Sequence, residues 1–462
     1  MSDFIKQFEA ILDSNGILRG EEVSGRAVHV WNEEGIQARA ILRPTTTAQV
    51  SAILKICNEG NQPVIAHGGL TGLVQSSITG ANDVVLSLER MNTIEEVDEI
   101  GRTMTVQAGV PLQLLQDTAD EKGLFFPVDL GARGSCQIGG NVSTNAGGNR
   151  VIRFGTMRDN VLGVEAVLAD GTVISSLNTM IKNNAGYDLK QLFIGTEGTL
   201  GIVTRLVLRL REAITAEDTA FVAFDNFDQV TTFLKYIDGA LGGTLSAYEV
   251  LWHDYYDLVT TGPATNKRPV EATWPYYAIV ESLGAVSGRE HFESAMIRAL
   301  EDGLIADAAV AQSGADRAAM WAIRDDVEQF FRYGPPQIFD VSIAIRHIGE
   351  YVDEVKRRLH EQWPHHYCYT FGHVGDGNIH FAITVPDRDE SIRLGVERCV
   401  YEPLAPHGGS ISAEHGIGLE KKEYLPISRS EAEITLMRQL KKSLDPRGIL
   451  NPGKIFDPSV AA

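Results

Sequence analysis

His373 and His380 bracket an Asp-Gly pair in the run Phe371-Gly372-His373-Val374-Gly375-Asp376-Gly377-Asn378-Ile379-His380. Asp-Gly is a strong two-residue turn signal, and both flanks can run as strands. With Asp376-Gly377 at the turn centre, residues pair symmetrically outward and His373 falls directly opposite His380. Opposed side chains carry Cβ atoms about 4.5–5.5 Å apart, so the two imidazoles can share a metal ion. Two ligands do not fix its task. A structural zinc site takes four ligands, commonly with Cys, whereas a catalytic site keeps three protein ligands and an open position. Cys368 lies close in sequence but belongs to no ligand motif, and Asp376 is expected to shape the turn rather than bind metal.

The elements that must position this hairpin read as strand–helix units. Thr219–Phe224 leads into a helix over 226–238, Tyr276–Glu281 into 288–301, and Val341–Ile345 into 348–361. They predict an α+β domain whose sheet is covered by helices on one face. Upstream, 1–22 reads as a helical lead and Ala27–Trp31 as a strand. Val50, Ile53, Leu54 and Cys57 mark one face of a helix, and Pro63–Ala66 is a buried strand closing on His67-Gly68-Gly69. Met104–Ala108 and Thr199–Leu210 are strands, Pro111–Lys122 is a helix, and Val161–Ile174 is a hairpin turning at Ala169-Asp170-Gly171-Thr172.

Two glycine-rich loops can receive oxyanions: His67–Leu73 and 131–150. Glycine lets backbone N–H groups approach closely and form anion nests. Neither loop is a GxGxxG opening a helix after a strand, and no Gly-Lys-Ser/Thr occurs, so nicotinamide Rossmann and Walker sites are disfavoured.

With 41 Lys+Arg against 61 Asp+Glu, the net charge of −20 argues against nucleic acid or an anionic membrane as partner. The four cysteines (Cys57, Cys136, Cys368, Cys399) form no CxxC pair, which fits a reducing compartment. No apolar run is long enough for a transmembrane helix and the first residues lack a signal pattern, so a cytoplasmic location is expected.

Several further runs carry a resemblance. Pro63–Ser77, Pro127–Leu130 running into Gly131–Gly148, Gly186–Leu189 and Gly195–Thr204 resemble the FAD-binding domain of the vanillyl-alcohol oxidase/p-cresol methylhydroxylase superfamily. The His373–His380 run, Ser412-Ala413-Glu414-His415-Gly416-Ile417-Gly418 and Asn451-Pro452-Gly453-Lys454 resemble its metal-dependent D-2-hydroxyacid dehydrogenase branch. The fold so implied is α+β. A two-part PCMH-type (p-cresol methylhydroxylase-type) FAD-binding domain covers 1–215, and an α+β substrate (cap) domain with the histidines covers 216–405. A C-terminal segment, 406–462, returns to the flavin.

The resemblance also implies roles. Gly68, Gly69, Leu70, Thr71, Gly72, Leu73, Ser135, Gly139, Gly140, Asn145, Gly147 and Gly148 are expected to cradle the FAD pyrophosphate and approach the isoalloxazine. Glu197, Gly201 and Ile202 are expected near the adenine end, and Asn451 joins the cofactor set. Relatives with covalent flavin often use a His after the paired glycines. Leu70 stands there, so noncovalent FAD is expected, and His67 is not expected to attach it. Glu414 corresponds to a third metal ligand beside His373 and His380; N/O ligands suit Zn2+, with Mn2+ and Co2+ also open. His415 is the implied proton-abstracting base. In an extended stretch it points away from Glu414, toward the substrate. Arg324 corresponds to the residue holding the substrate carboxylate, which an Arg can do bidentately. Ile338 replaces a Lys of hydroxyglutarate-specific relatives, leaving Arg346, His347 or Lys182 to hold a distal carboxylate. The implied reaction is oxidation of a small anionic D-2-hydroxyacid, D-2-hydroxyglutarate first, with D-lactate dehydrogenase or a glycolate/hydroxyacid oxidase subunit as alternatives. An electron-transfer flavoprotein or quinone would accept the electrons, and a homodimer is allowed.

Overall fold

A computed structural model describes residues 2–29, 32–284, 288–387 and 389–457. The chain forms two compact units. One comprises 1–147, 155–213 and 414–462; the other comprises 148–154 and 214–413.

In the first unit, Ala40–Leu42, Val84–Ser87 and Val64–His67 form a parallel sheet edged by Ile17–Leu18. Parallel neighbours need a crossover, and the helix Thr47–Glu59 supplies it. Thr46 caps its start by accepting from the Gln49 amide, and it buries Val50, Ile53, Leu54 and Cys57, the stripe expected from the 3.6-residue period. The expected lead over 1–22 is broken: a helix spans Ser2–Glu9, and the chain reverses through Ile17–Leu18 before Glu21–Ser24. Of the strand expected over Ala27–Trp31, Ala27–His29 forms, and the rest lies outside the described residues. A second, antiparallel sheet runs Val173–Ser176, Val161–Val167, Ile202–Arg209, Thr103–Gln107, Ile94–Asp98. Its first two strands are the expected hairpin, with Gly171 at φ +88°. The C-terminal run joins this unit: the Val64 amide donates to the Ile449 carbonyl, and the Asn451 side chain accepts from the Ala66 amide and donates to the Glu197 carbonyl.

The second unit is a seven-stranded antiparallel sheet in the order Asp307–Val310, Ala216–Phe224, Tyr276–Gly284, Leu245–Trp252, Tyr367–Gly372, Asn378–Thr384, Gln337–Ser342. Leu245–Trp252 and Asn378–Thr384 are buried at every position, so both faces are covered, not one. On one side Phe233, from the helix Phe227–Ala240, meets Phe224 and Tyr248, and Tyr351, from Ile348–Gln362, meets Phe381. On the other, Tyr255 and Tyr256 of His253–Thr260 and Ile323 of Gly314–Asp325 pack with Phe221, Leu251, Tyr277 and Phe371. The strand expected over Val341–Ile345 begins earlier, at Gln337, and ends at Ser342, because a 3-10 turn starts at Ile345.

Candidate active site

The two glycine-rich loops pack back to back in the first unit. A Cβ on Gly69 would collide with the Ser135 carbonyl, and one on Gly139 would stand 2.6 Å from the Ala108 Cβ, so both close approaches require glycine. The 131–150 stretch is not all loop, since a short helix spans Ile138–Ser143. Leu70, Asn145 and Glu197 hold φ of +56°, +52° and +51°, which turns their backbone through the left-handed region. Nothing lies within 4 Å of a Cβ built on Gly72 or Gly140. Buried Gln137 Oε1 and Asn141 Oδ1 have no hydrogen-bond partner, and Gln137 Oε1 stands 3.7 Å from a Cβ built on Gly68. Glycine approach, open backbone and unpaired polar atoms together fit a large polar cofactor such as FAD.

Some side chains in this set hold the cradle instead of facing outward. Asn145 Oδ1 accepts from Thr156 Oγ1 (3.0 Å) and the Arg158 amide (2.9 Å), leaving its backbone for a cofactor. Glu197 Oε1 accepts from the Ile417 amide (2.7 Å), and Oε2 from the Gly418 amide (2.9 Å) and Ser76 Oγ (2.7 Å). Its carboxylate thus ties the glycine loop to the C-terminal run. Gly201 is filled by Phe193, whose ring carbon would meet a Cβ at 2.8 Å.

His67 Nε2–H donates to the Ser77 carbonyl at 2.9 Å, and burial pushes its pKa down to about 4. The folded state therefore resists protonation that the unfolded chain accepts at its ordinary 6.5. The contribution of neutral His67 is fully present above about pH 6.5 and is lost as pH falls toward 4. At pH 4.5 this is on the order of 2–3 kcal/mol. Unfolding free energies from urea titrations at pH 7.5 and 4.5 should differ by that much more in the wild type than in His67→Gln.

In the second unit the histidines come together, though not by the expected pairing. Tyr367–Gly372 pairs with Asn378–Thr384 so that His380 faces Phe371, not His373. Val374–Asp376 form a 3-10 turn that Gly377 ends at φ +86°, so five residues separate the strands where two were expected. Asp376 does shape this turn, its Oδ1 accepting from the Asn378 amide. The two rings nonetheless lie 5.2 Å apart, nearly perpendicular and both buried. The sheet explains this: Leu251, Phe371, His380 and Asp340 are directly opposed in successive strands, so their side chains share one face. Glu249, two positions from Leu251, shares it too.

Glu249 Oε1 accepts from His373 Nδ1 at 2.5 Å, and Oε2 accepts from Arg324 Nε at 3.0 Å. Arg324, in the last turn of its helix, lies over the Phe371 ring (5.1 Å), with Nη2 3.2 Å from His373 Nε2. Burial alone would raise the Glu249 carboxyl, but the His373 and Arg324 partners hold it below the usual range. Asp340 Oδ2 accepts from the Ala413 amide (3.1 Å) and Ser412 Oγ (3.3 Å), and Oδ1 from Asn378 Nδ2 (2.8 Å). It fixes the chain one residue before Glu414 and His415, which open the run counted with the first unit. The two buried imidazoles suit a borderline cation such as Zn2+.

Arg346 is exposed and donates from Nε to His347 Nε2, whose ring lies 4.6 Å from that of His407; neither Arg346 nor His347 joins the histidine pair. Lys182 sits on an exposed loop of the first unit. Ile338 is 39% exposed on the edge strand. The sequence reading missed Glu249 and did not assign Asp340 a role. The available signal was an acid within an otherwise apolar strand, since a buried carboxylate needs charged or hydrogen-bonding partners.

A family profile described as "FAD binding domain" matches residues 38–176, and "FAD linked oxidases, C-terminal domain" matches 215–455. D-2-hydroxyglutarate dehydrogenase, mitochondrial, of Danio rerio is 40% identical over 425 residues, covering 91% of this chain and 79% of the relative. The D-2-hydroxyglutarate dehydrogenase of Xanthomonas citri pv. viticola is 37% identical, covering 90% and 89%. A Schizosaccharomyces pombe relative, 39% identical over 89% of this chain and 81% of its own, carries a provisional D-lactate dehydrogenase name. Among solved structures, p-cresol methylhydroxylase with substrate bound superposes with a TM-score of 0.74 at 16% identity, covering 99% of this chain and 97% of that one.

Proposed function

This chain belongs to the FAD-linked oxidase family, in its D-2-hydroxyacid dehydrogenase branch, and on that premise we propose that it oxidises D-2-hydroxyglutarate to the 2-oxoacid with noncovalent FAD and a divalent metal, Zn2+ ahead of Mn2+ or Co2+. The observation carrying this reading is the buried pair His373–His380 with Arg324 tied to the same carboxylate as His373. When bound, FAD would supply a hydride acceptor and the metal would supply Lewis acidity.

The chain's residues do the rest. His373, His380 and Glu414 hold the metal. Arg324 presents its guanidinium edge to the substrate carboxylate, an orientation that fixes which hydrogen leaves. His415 takes the hydroxyl proton. One proton to His415 and one hydride from Cα leave the 2-oxoacid, so charge and electrons balance. Leu70 beside the paired glycines, and His67 committed to Ser77, support noncovalent flavin. An electron-transfer flavoprotein or quinone reoxidises the flavin, and the four free cysteines suit a reducing compartment such as the cytoplasm.

Ile338 and the exposed Arg346 favour a second reading, D-lactate, because neither position offers a buried cation to a distal carboxylate. Anaerobic flavin bleaching with a panel of D-2-hydroxyacids separates the two. D-2-hydroxyglutarate is expected to bleach fastest; faster bleaching by D-lactate selects the second reading, and no bleaching by any D-2-hydroxyacid overturns both.

A further inference from the structure

The geometry assigns to Glu249 a positioning role: one buried carboxylate aligns His373 for the metal and Arg324 for the substrate, so that loss of Glu249 weakens both together. This inference rests on the metal reading above and goes beyond the ligand set. Glu249 lies within Leu245–Trp252, buried at every position, and its side chain is 1% exposed. A carboxylate there is costly unless paired and hydrogen-bonded. Each oxygen takes a donor from a different functional side chain, His373 Nδ1–H on Oε1 and Arg324 Nε–H on Oε2.

The first bond fixes which nitrogen of His373 carries the proton. An ionised carboxylate only accepts, so the proton sits on Nδ1. Nε2 accepts from Arg324 Nη2 at 3.2 Å, a contact that a metal at Nε2 would replace. Glu249 is thus the outer partner that sets the tautomer and ring orientation of a ligating His. The second bond holds Arg324 by Nε, with Nη1 3.5 Å from Asp325 Oδ1; an incoming substrate carboxylate would meet the Nη edge by replacing these contacts. Phe371 beneath the guanidinium completes the clamp. The pairing reaches across the sheet: Val250 faces Gly372, so one residue further along, Glu249 meets His373 just past the strand end.

The test is Zn2+ affinity of the full-length, FAD-loaded protein, read by competition with a chromogenic chelator. Wild type, Glu249→Gln, His373→Ala, His380→Ala and the double variant Glu249→Gln/His373→Ala are compared. Glu249→Gln keeps the volume but presents an NH2 group to one of two donors. It should weaken Zn2+ by about 10–100-fold, raise KM for the D-2-hydroxyacid, shift the visible bands of the Co2+-loaded protein, and leave FAD content unchanged. In the His373→Ala background it should change Zn2+ affinity no further. Should Glu249→Gln fail to fold, Glu249→Met with Arg324→Met removes both buried charges at similar volume, and the same loss of Zn2+ is expected. Zn2+ affinity within about twofold of wild type in the folded variant, with His380→Ala still losing metal, overturns the role of Glu249 alone. Equal Zn2+ retention by wild type and His380→Ala overturns the metal reading, and this inference with it.

Discussion

Replacing His415 with alanine should slow anaerobic flavin reduction by D-2-hydroxyglutarate by roughly 10²–10⁴-fold, the usual worth of a positioned general base, while FAD and metal stay bound. The expectation follows from how its backbone is held. Asp340 fixes the Ala413 amide on one side, and Glu197 takes the Ile417 and Gly418 amides on the other. The peptides around residue 415 are thus anchored by carboxylates through their backbone amides. Removing the ring should leave the path of the backbone, and with it the position of Glu414, intact. Stopped-flow absorbance of the flavin measures the rate, and metal analysis of the same sample checks the second half. A parallel loss of metal would mean that His415 is a ligand and not the base.

His380→Ala should have the larger effect. It removes an imidazole from a buried site opposite Asp340 and beside His373, leaving too few ligands for tight binding. Loss of Lewis-acid assistance worth several kcal/mol corresponds to a rate loss on the order of 10³-fold or more. The yellow colour should persist, because His67–Leu73 and 131–147 belong to the first unit and His380 does not. Metal analysis, flavin absorbance and turnover with a dye acceptor separate the three consequences. Colourless protein would tie His380 to cofactor retention.

The histidine pair was legible in sequence although its register was not. The turn was expected at Asp376-Gly377, but Gly377 instead ends a 3-10 turn, and His380 comes to face Phe371. That slip is two residues, and a slip of two preserves the face on which each side chain lies. An error of one would have put the imidazoles on opposite faces. The helix Thr47–Glu59 was legible for a similar reason: its 3.6-residue stripe is a local signal. Glu249 was not legible because its meaning depends on sheet order. Its partner His373 is 124 residues away, and only the placement of Leu245–Trp252 beside Tyr367–Gly372 brings them together. Arg346 and Lys182 show the converse limit, since a charge near a motif in sequence can point to solvent in the fold. The two glycine-rich loops were legible as glycine patterns. The use of the Glu197 and Asn451 side chains to bind one chain segment to another was not, because those contacts join segments more than 200 residues apart.

Anaerobic bleaching of the flavin by D-2-hydroxyglutarate, in protein as purified, after exhaustive chelation, and after Zn2+ is restored, tests the central claim most directly. Rapid bleaching is expected in the first sample, none in the second with FAD still bound, and recovery in the third. Undiminished bleaching of the fully stripped protein would contradict that claim.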